Sequence, residues 1–328
     1  MHCATSELVV ATDTTISGAR IHPVYAEMKH TVFDWMSGLA RQHGAINLGQ
    51  GFPDGPVLEP LLEAAQRALR DRSNQYAPGA GLPELRNAIC GYYQRRQGLG
   101  VQFEDVTVTS GATEALASAL LALVNPGDEV IIFQPAYDAY APMVRRAGGV
   151  PVAVSLDLPT FSYPLDRLES VITPRTRLLM LNDPLNPAGT VASLEELERI
   201  AQLCRAHNLI AICDEVWEDV RFDGKPHRSL MAFPGMAERT VKIGSAGKIF
   251  GITGWKIGWM IASGALGTAL ARAHQFLTYA SAPPLQWAVA EGLTLPDALL
   301  DEQRGGWANA RERLRDGLRR AGFHVLPN

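Results

Sequence analysis

Lys248 stands in the stretch "SAGKIFGITGWKIGW" (Ser245–Trp259), among four glycines, a serine and a second lysine, Lys256, with no acidic residue. A lysine becomes a nucleophile when burial or a neighbouring cation lowers its pKa, and Lys256 is such a neighbour. A pair of surface lysines accounts for this window equally well. A nucleotide-binding P-loop does not: its earlier glycine falls on Lys242, and Ile249 stands where serine or threonine is required.

Three other groups of residues invite chemistry. "TSGATEAL" puts small residues and a glycine, Gly111 with Ala112 and Thr113, at a strand-to-helix turn, where free N–H groups and the helix dipole favour an anion such as phosphate. A plain tight turn is an equal reading. "NDPLNPAG" packs two asparagines and two prolines into a rigid loop; Asn182 and Asn186 suit turns, but the fixed geometry around Asn186 favours an amide aimed at a ligand. "AICDEVWED" ends an apolar run on Asp214, a carboxylate that burial makes costly without a partner. It is either an N-cap or structural ion pair, or the group that holds a protonated ring nitrogen.

The elements that must carry these residues are legible as alternation. Short β-branched runs at 106–111, 129–134, 150–156, 177–183, 209–215, 240–246 and 258–263 read as buried strands bounded by turn residues. Helical patterns lie between them. "TEALASALLALVNPGD" stops at Asn-Pro-Gly, and "SLEELERIAQLCRAHN" opens with Ser193 and Glu196 as a capping box. This is the βαβ signature of a doubly wound α/β domain with a mostly parallel sheet, over roughly residues 46–285. Such sheets bind ligands beyond the carboxyl ends of their strands, where all four groups fall. A nucleophilic lysine, an acid, an anion site and an amide, in order on one sheet, match what pyridoxal phosphate needs.

The whole chain is consistent with small-molecule chemistry. Its 328 residues suffice for about two domains, and a formal net charge of -4 without a Lys/Arg-rich run argues against nucleic acid. Cys3, Cys90, Cys204 and Cys213 are scattered, which predicts neither a disulfide framework nor a metal site and fits a reducing, cytoplasmic setting. The N-terminal "MHCATSELVVATDTT" lacks a basic region followed by an apolar run, so a loose arm rather than a secretory leader is expected, and no apolar run is long enough to span a membrane.

Taken with "AINLGQGFPDGP", "NQYAPGAGLPELR", "PGDEVIIFQPAYDAY", "LNDPLNPAGT" and "DEVWEDVRFDG", these motifs cover nearly the whole chain. The chain resembles the class I/II pyridoxal-phosphate aminotransferases of fold type I, in particular the kynurenine, glutamine and methionine aminotransferase branch. The resemblance implies a three-layer α/β fold with a seven-stranded sheet and an incomplete small domain. It divides the chain into an N-terminal arm with part of a small domain (1–45), a large cofactor-binding domain (46–285) and the start of a C-terminal small domain (286–328).

The resemblance also implies roles. Lys248 forms the internal aldimine and moves the proton; Asp214 keeps the pyridine nitrogen protonated; Asn186 meets the ring's 3′ oxygen; Tyr137 stacks on the ring. Gly111, Ala112, Thr113, Ser245 and Lys256 hold the phosphate, and Tyr76 reaches the phosphate of the other subunit in a homodimer. Gly51, Asn186 and, from the partner, Tyr279 line the substrate pocket. Trp217 stands where the family usually has tyrosine; its indole N–H donates but cannot ionise as a phenol does. The family's substrate-carboxylate arginine has no match before Asn328, and Arg311, Arg313 and Arg315 read as a solvated helix face.

The implied reaction is ping-pong transamination between an L-amino acid (aromatic, glutamine or sulfur-containing) and a 2-oxo acid. A cysteine-conjugate β-lyase and a shortened non-catalytic paralogue are the competing expectations. No metal, membrane or nucleic-acid partner is expected.

Overall fold

The computed structural model describes residues 21–326 apart from 27, 29, 30, 52 and 54. The expected N-terminal arm up to residue 20, with Cys3, lies outside the described residues, as do Phe52 and Asp54 of the first motif. The chain forms two compact units, Met1–Gly49 and Gln50–Asn328. The first unit contains α1 (Pro23–Ala26) and α2 (Val32–His43). Thr31 caps α2 by accepting from Asp34 N at 3.1 Å, and Gly44 closes it in the left-handed conformation.

The second unit opens with α3 (Glu59–Asp71) and α4 (Pro83–Gln97), then runs β1 (Val106–Thr109), α5 (Gly111–Leu123), β2 (Glu129–Gln134), α6 (Tyr140–Arg146), β3 (Val150–Ser155) and α7 (Leu165–Ser170). It continues with β4 (Thr176–Asn182), α8 (Leu194–Ala206), β5 (Ile210–Asp214), β6 (Thr240–Ser245), α9 (Ala246–Ile249) and β7 (Gly258–Ile261). The helices α10 (Gly264–Gln275), α11 (Pro283–Gly292) and α12 (Asp297–Arg320) complete it. All seven expected strands form; β2 keeps its expected bounds, β4 starts and ends one residue earlier, and the other five are shorter than their apolar runs because flanking turn residues leave the ladder.

The strands make one sheet in the order β1-β7-β6-β5-β4-β2-β3. Neighbours are parallel except β7, which runs against both β6 and β1. Alternate side chains go to opposite faces. Val130, Ile132, Leu178, Met180, Ile212, Val241, Ile243 and Met260 pack with Leu116 and Leu120 of α5 and Leu270 of α10. On the other face Ile131, Phe133, Leu179 and Leu181 meet Leu197 and Ile200 of α8. Further along that face Val106, Val108, Trp259 and Ile261 meet Leu85 and Ile89 of α4 and Val289 of α11. Helix, sheet and helix therefore form three layers, the expected α/β architecture.

The expected capping box of α8 is present: Ser193 Oγ accepts from Glu196 N, and Glu196 accepts from Ser193 N. Register then decides the height of the polar strand ends. Asn182 pairs with Asp214, Ser245 with Gly258 and Thr109 with Gly258. The residues that end β1, β4, β5 and β6 thus share one edge of the sheet.

Candidate active site

Asp214 closes β5 and is buried. Its Oδ2 accepts from Tyr140 Oη at 2.6 Å and its Oδ1 from Val216 N at 3.4 Å. Burial raises its pKa, and the Tyr140 hydroxyl, Val216 N–H and Lys248 charge only partly offset that. Asn182, at the same height on β4, ties the neighbouring loop to this strand. Its Nδ2 donates to Asp214 O at 2.9 Å, and its Oδ1 accepts from Asn186 N at 2.7 Å. Of the two asparagines, Asn182 therefore serves the backbone, and Asn186 is carried to the cavity wall.

Tyr137, in the loop before α6, and Tyr140, the first residue of α6, meet edge to face with centroids 5.6 Å apart. Tyr137 hydrogen-bonds Thr113, and burial with the nearby charges of Asp138 and Asp214 raises its pKa. The side chains after β1, β2 and β5 are thus linked in a chain from Thr113 through Tyr137 and Tyr140 to Asp214.

Lys248 lies in the single turn of α9, directly after β6. Its Nζ donates to Gly51 O at 3.0 Å and sits 4.2 Å from the centre of the Trp217 ring. Burial lowers its pKa to about 8; Asp214 opposes the shift and Lys256 adds to it. The amine is therefore neutral far more often than an ordinary lysine's at the same pH.

Small residues shape the anion cradle. Gly111 opens α5 at φ 75°, and a Cβ there would lie 3.0 Å from Lys256 Nζ. Lys256 is itself left-handed, φ 56°, which folds its ammonium back over the N-terminus of α5. A Cβ on Gly258 would come within 2.8 Å of Gly111 C and 2.9 Å of Ala112 N. Ser245 Oγ lies beside Gly247, where a Cβ would be 3.2 Å away. Glu114 anchors the turn by accepting from Ser110 N, and it also binds His274 Nδ1 at 2.5 Å and Thr278 Oγ1 at 2.7 Å. A helix N-terminus, a hydroxyl and an ammonium facing a glycine cradle fit a phosphate. With Asp214 for a ring nitrogen and Lys248 for an aldehyde, the residues present fit pyridoxal phosphate.

Gly51, Asn186 and Trp217 line one cavity of about 660 Å³. Tyr76 and Tyr279 do not line it. They pair with each other edge to face, centroids 5.4 Å apart, and are 83% and 44% exposed.

Sequence reasoning missed four contributors. Tyr140 lies 74 positions from the carboxylate it meets, and its only sequence signal is its spacing from Tyr137. Lys242, considered only as a failed P-loop position, is fully buried on β6. It binds Glu215 and, at 2.6 Å, Glu218; Glu215 also accepts from Ser229 at 2.8 Å and lies 2.7 Å from His227 Nε2. Glu215, Glu218 and His227 are grouped closely enough to ligate a cation, and the Lys242 ammonium bridges the two carboxylates. The signal was a lone lysine in an apolar strand. Glu114 was visible only as part of "SGATEAL". Arg311, expected on a solvated face, instead lines the 660 Å³ cavity with its guanidinium 4.6 Å from the centre of the Phe222 ring.

Comparison with known proteins agrees with this geometry. The family described as aminotransferase class I and II matches residues 43–328. The probable N-succinyldiaminopimelate aminotransferase DapC of Mycobacterium tuberculosis (strain ATCC 25618 / H37Rv) is 46% identical over 300 residues, which span 90% of this chain and 75% of that protein. The methionine aminotransferase of Escherichia coli (strain K12) is 40% identical over 264 residues, 80% of this chain and 68% of that one. The solved N-succinyldiaminopimelate aminotransferase from Mycobacterium tuberculosis superposes with a TM-score of 0.91 at 44% identity, covering 94% of this chain and 81% of that chain.

Proposed function

Since the chain belongs to the class I and II aminotransferase family, we propose that it moves the amino group of an L-amino acid to a 2-oxo acid in two alternating half-reactions, with Lys248 as the residue that carries the cofactor and shuttles the proton. Enzymes of this family use pyridoxal 5′-phosphate and act on amino acids and 2-oxo acids. The bound cofactor supplies an aldehyde for the amine and a ring that draws electrons from the bond broken at Cα.

The chain's own residues divide the remaining work. The Lys248 amine, with its pKa lowered to about 8, accepts the proton from substrate Cα and returns it on the cofactor side. Asp214 holds the protonated ring nitrogen; a cation brought against its buried carboxylate restores the ionised form that burial alone disfavours. With the cofactor bound, Asn186 would donate to its ring oxygen and Tyr137 would pack on its ring, while Trp217 lies beside Lys248. Gly111, Ala112, Thr113, Ser245 and Lys256 receive the phosphate. Gly51 and Asn186 face the substrate.

Tyr76 and Tyr279 act in the partner's site of a homodimer, a reading supported by their exposure as a pair. We read residues 1–45 as the arm, 46–285 as the cofactor domain and 286–328 as a small-domain segment. Among substrates, a sulfur-containing amino acid is supported by the similarity to methionine aminotransferase, with aromatic amino acids and glutamine as the other donors to try. Among the described residues no helix is long and apolar enough to cross a membrane, and a cytoplasmic enzyme is the reading we adopt.

The observation that carries the proposal is the half-buried Lys248 amine, its pKa lowered, flanked by Asp214 and Lys256. Absorption spectra of the chain with pyridoxal phosphate, before and after methionine or glutamine, test it. We expect a visible band that Lys248→Ala abolishes and that an amino donor converts to the amine form of the cofactor. Release of pyruvate and ammonia from a cysteine conjugate without that conversion points to the lyase. A band independent of Lys248 overturns the assignment.

A further inference from the structure

We infer that His274 is a positioning residue for the cofactor phosphate: as an imidazolium it cancels the charge of Glu114, the carboxylate that ties down the first turn of the anion cradle. The inference rests on the reading that Gly111, Ala112 and Thr113 receive the phosphate. A bare carboxylate is out of place there. Glu114 lies in the first turn of α5 and is buried. The positive end of a helix dipole attracts either anion, and an uncompensated carboxylate would repel a phosphate at the same helix end.

His274, on α10, supplies the compensation. Its ring is buried, with Nδ1 2.5 Å from Glu114 Oε1 and Nε2 2.8 Å from Gly79 O. A carboxylate and a backbone carbonyl both accept, so both ring nitrogens donate, and a ring with two donors is cationic. Burial opposes that charge, but Glu114, with the Gly79 and Tyr279 backbone, outweighs it and raises the His274 pKa. Burial also opposes the charge of Glu114, yet the His274 ring, the Ser110 N–H and the Thr278 hydroxyl outweigh it and lower the Glu114 pKa. The two directions agree on an ion pair. Glu104, Asp105 and Arg272 line the same cavity as His274, and among the described residues none of these three hydrogen-bonds its ring. Glu114 is thus neutralised inside the protein while its other oxygen takes Ser110 N, the donor just before the cradle. The pair joins α5, the end of α10 and the loop before α4 that holds Gly79. Uncharged partners would join the same elements. What the ion pair adds is a cradle whose positive character is left to Lys256 and the helix end.

Pyridoxamine 5′-phosphate and pyridoxamine carry no aldehyde, so Lys248 forms no bond with either, and the two differ only in the phosphate. Each is titrated calorimetrically at neutral pH into the full chain, its His274→Gln variant and the double variant Glu114→Gln, His274→Gln. The unaltered chain is expected to prefer the phosphorylated ligand. His274→Gln should weaken that ligand by about 10-fold, the scale of one uncompensated charge nearby, and leave pyridoxamine unchanged. The double variant should recover most of the loss, because the bare anion has gone with its partner. Equal weakening of both ligands, or a double variant no better than the single one, would make the pair a structural tie and overturn the inference. Ring-nitrogen NMR of the unaltered chain decides even if His274→Gln does not fold. The His274 signals, identified by their shift in Glu114→Gln, should show both nitrogens protonated at neutral pH, and a neutral ring would also overturn the inference. A chain without any preference for the phosphorylated ligand would sink the phosphate reading along with it. A preference indifferent to His274 would sink this inference alone.

Discussion

Lys248 illustrates how much a single side chain owes to its neighbours. Burial, Lys256 and Asp214 pull its pKa in different directions, and the result is about 8. The neutral amine is the reactive form, so the rate of cofactor uptake should rise with pH and level off above about pH 8. Lys256→Met removes a charge that lowers the pKa, and should move the midpoint up; Asp214→Asn removes one that raises it, and should move the midpoint down. Rates of visible-band formation across pH check both signs, and a midpoint unmoved by either change would show that burial alone sets it. Lys248, Asp214 and Asn186 stood out for different reasons: a lysine in a glycine-rich apolar stretch, a carboxylate ending an apolar run, and an asparagine in a loop fixed by prolines. Tyr140 and Arg311 were not, because a tyrosine or an arginine on a helix is ordinary until the fold shows what it faces. Lys242 broke a pattern too, but one anomalous residue cannot announce the two glutamates, 24 and 27 positions away, that neutralise it.

At the scale of elements, the strands were readable from apolar runs and their turns, since burial on both faces leaves no room for polar alternation. Their order was not. β1 and β7 are far apart in the chain and pair through register, and the reversed direction of β7 follows from the short return after α9 rather than from any residue pattern. That return makes Gly258 a sensitive position. Gly258→Ala would drive a methyl into the backbone of Gly111 and Ala112, at 2.8 and 2.9 Å. We expect a loss of about 1–3 kcal/mol in stability, typical of overpacking, together with weaker cofactor retention, because the displaced backbone is the anion cradle. Chemical denaturation with and without pyridoxal phosphate separates the two: the variant should gain less from the cofactor than the unaltered chain does. An equal gain would mean the cradle had not moved.

At the scale of the molecule, Tyr76 and Tyr279 set the question of subunits. Sequence resemblance gave them a purpose in another chain, and the geometry of one chain leaves them exposed and paired. In a homodimer with shared sites, Tyr76→Ala and Lys248→Ala should each be impaired alone and complement when mixed. Random pairing puts one intact site in half of the dimers, so about a quarter of the sites should recover. No recovery from a mixture shown to exchange subunits would confine Tyr76 to its own chain. One feature of the fold also bears on how such a chain can diverge. Ser245 and Gly258 are register partners, and everything between them leaves the sheet and comes back to the same height. Within that excursion lie Lys248 and Lys256, and its far end abuts the start of α5. An insertion or deletion there has nowhere to be absorbed, because both anchors are buried strand ends. Descendants of this sequence can therefore vary residues 246–257 apart from Lys248 and Lys256, but not their number, while the exposed 223–225 segment is free to lengthen.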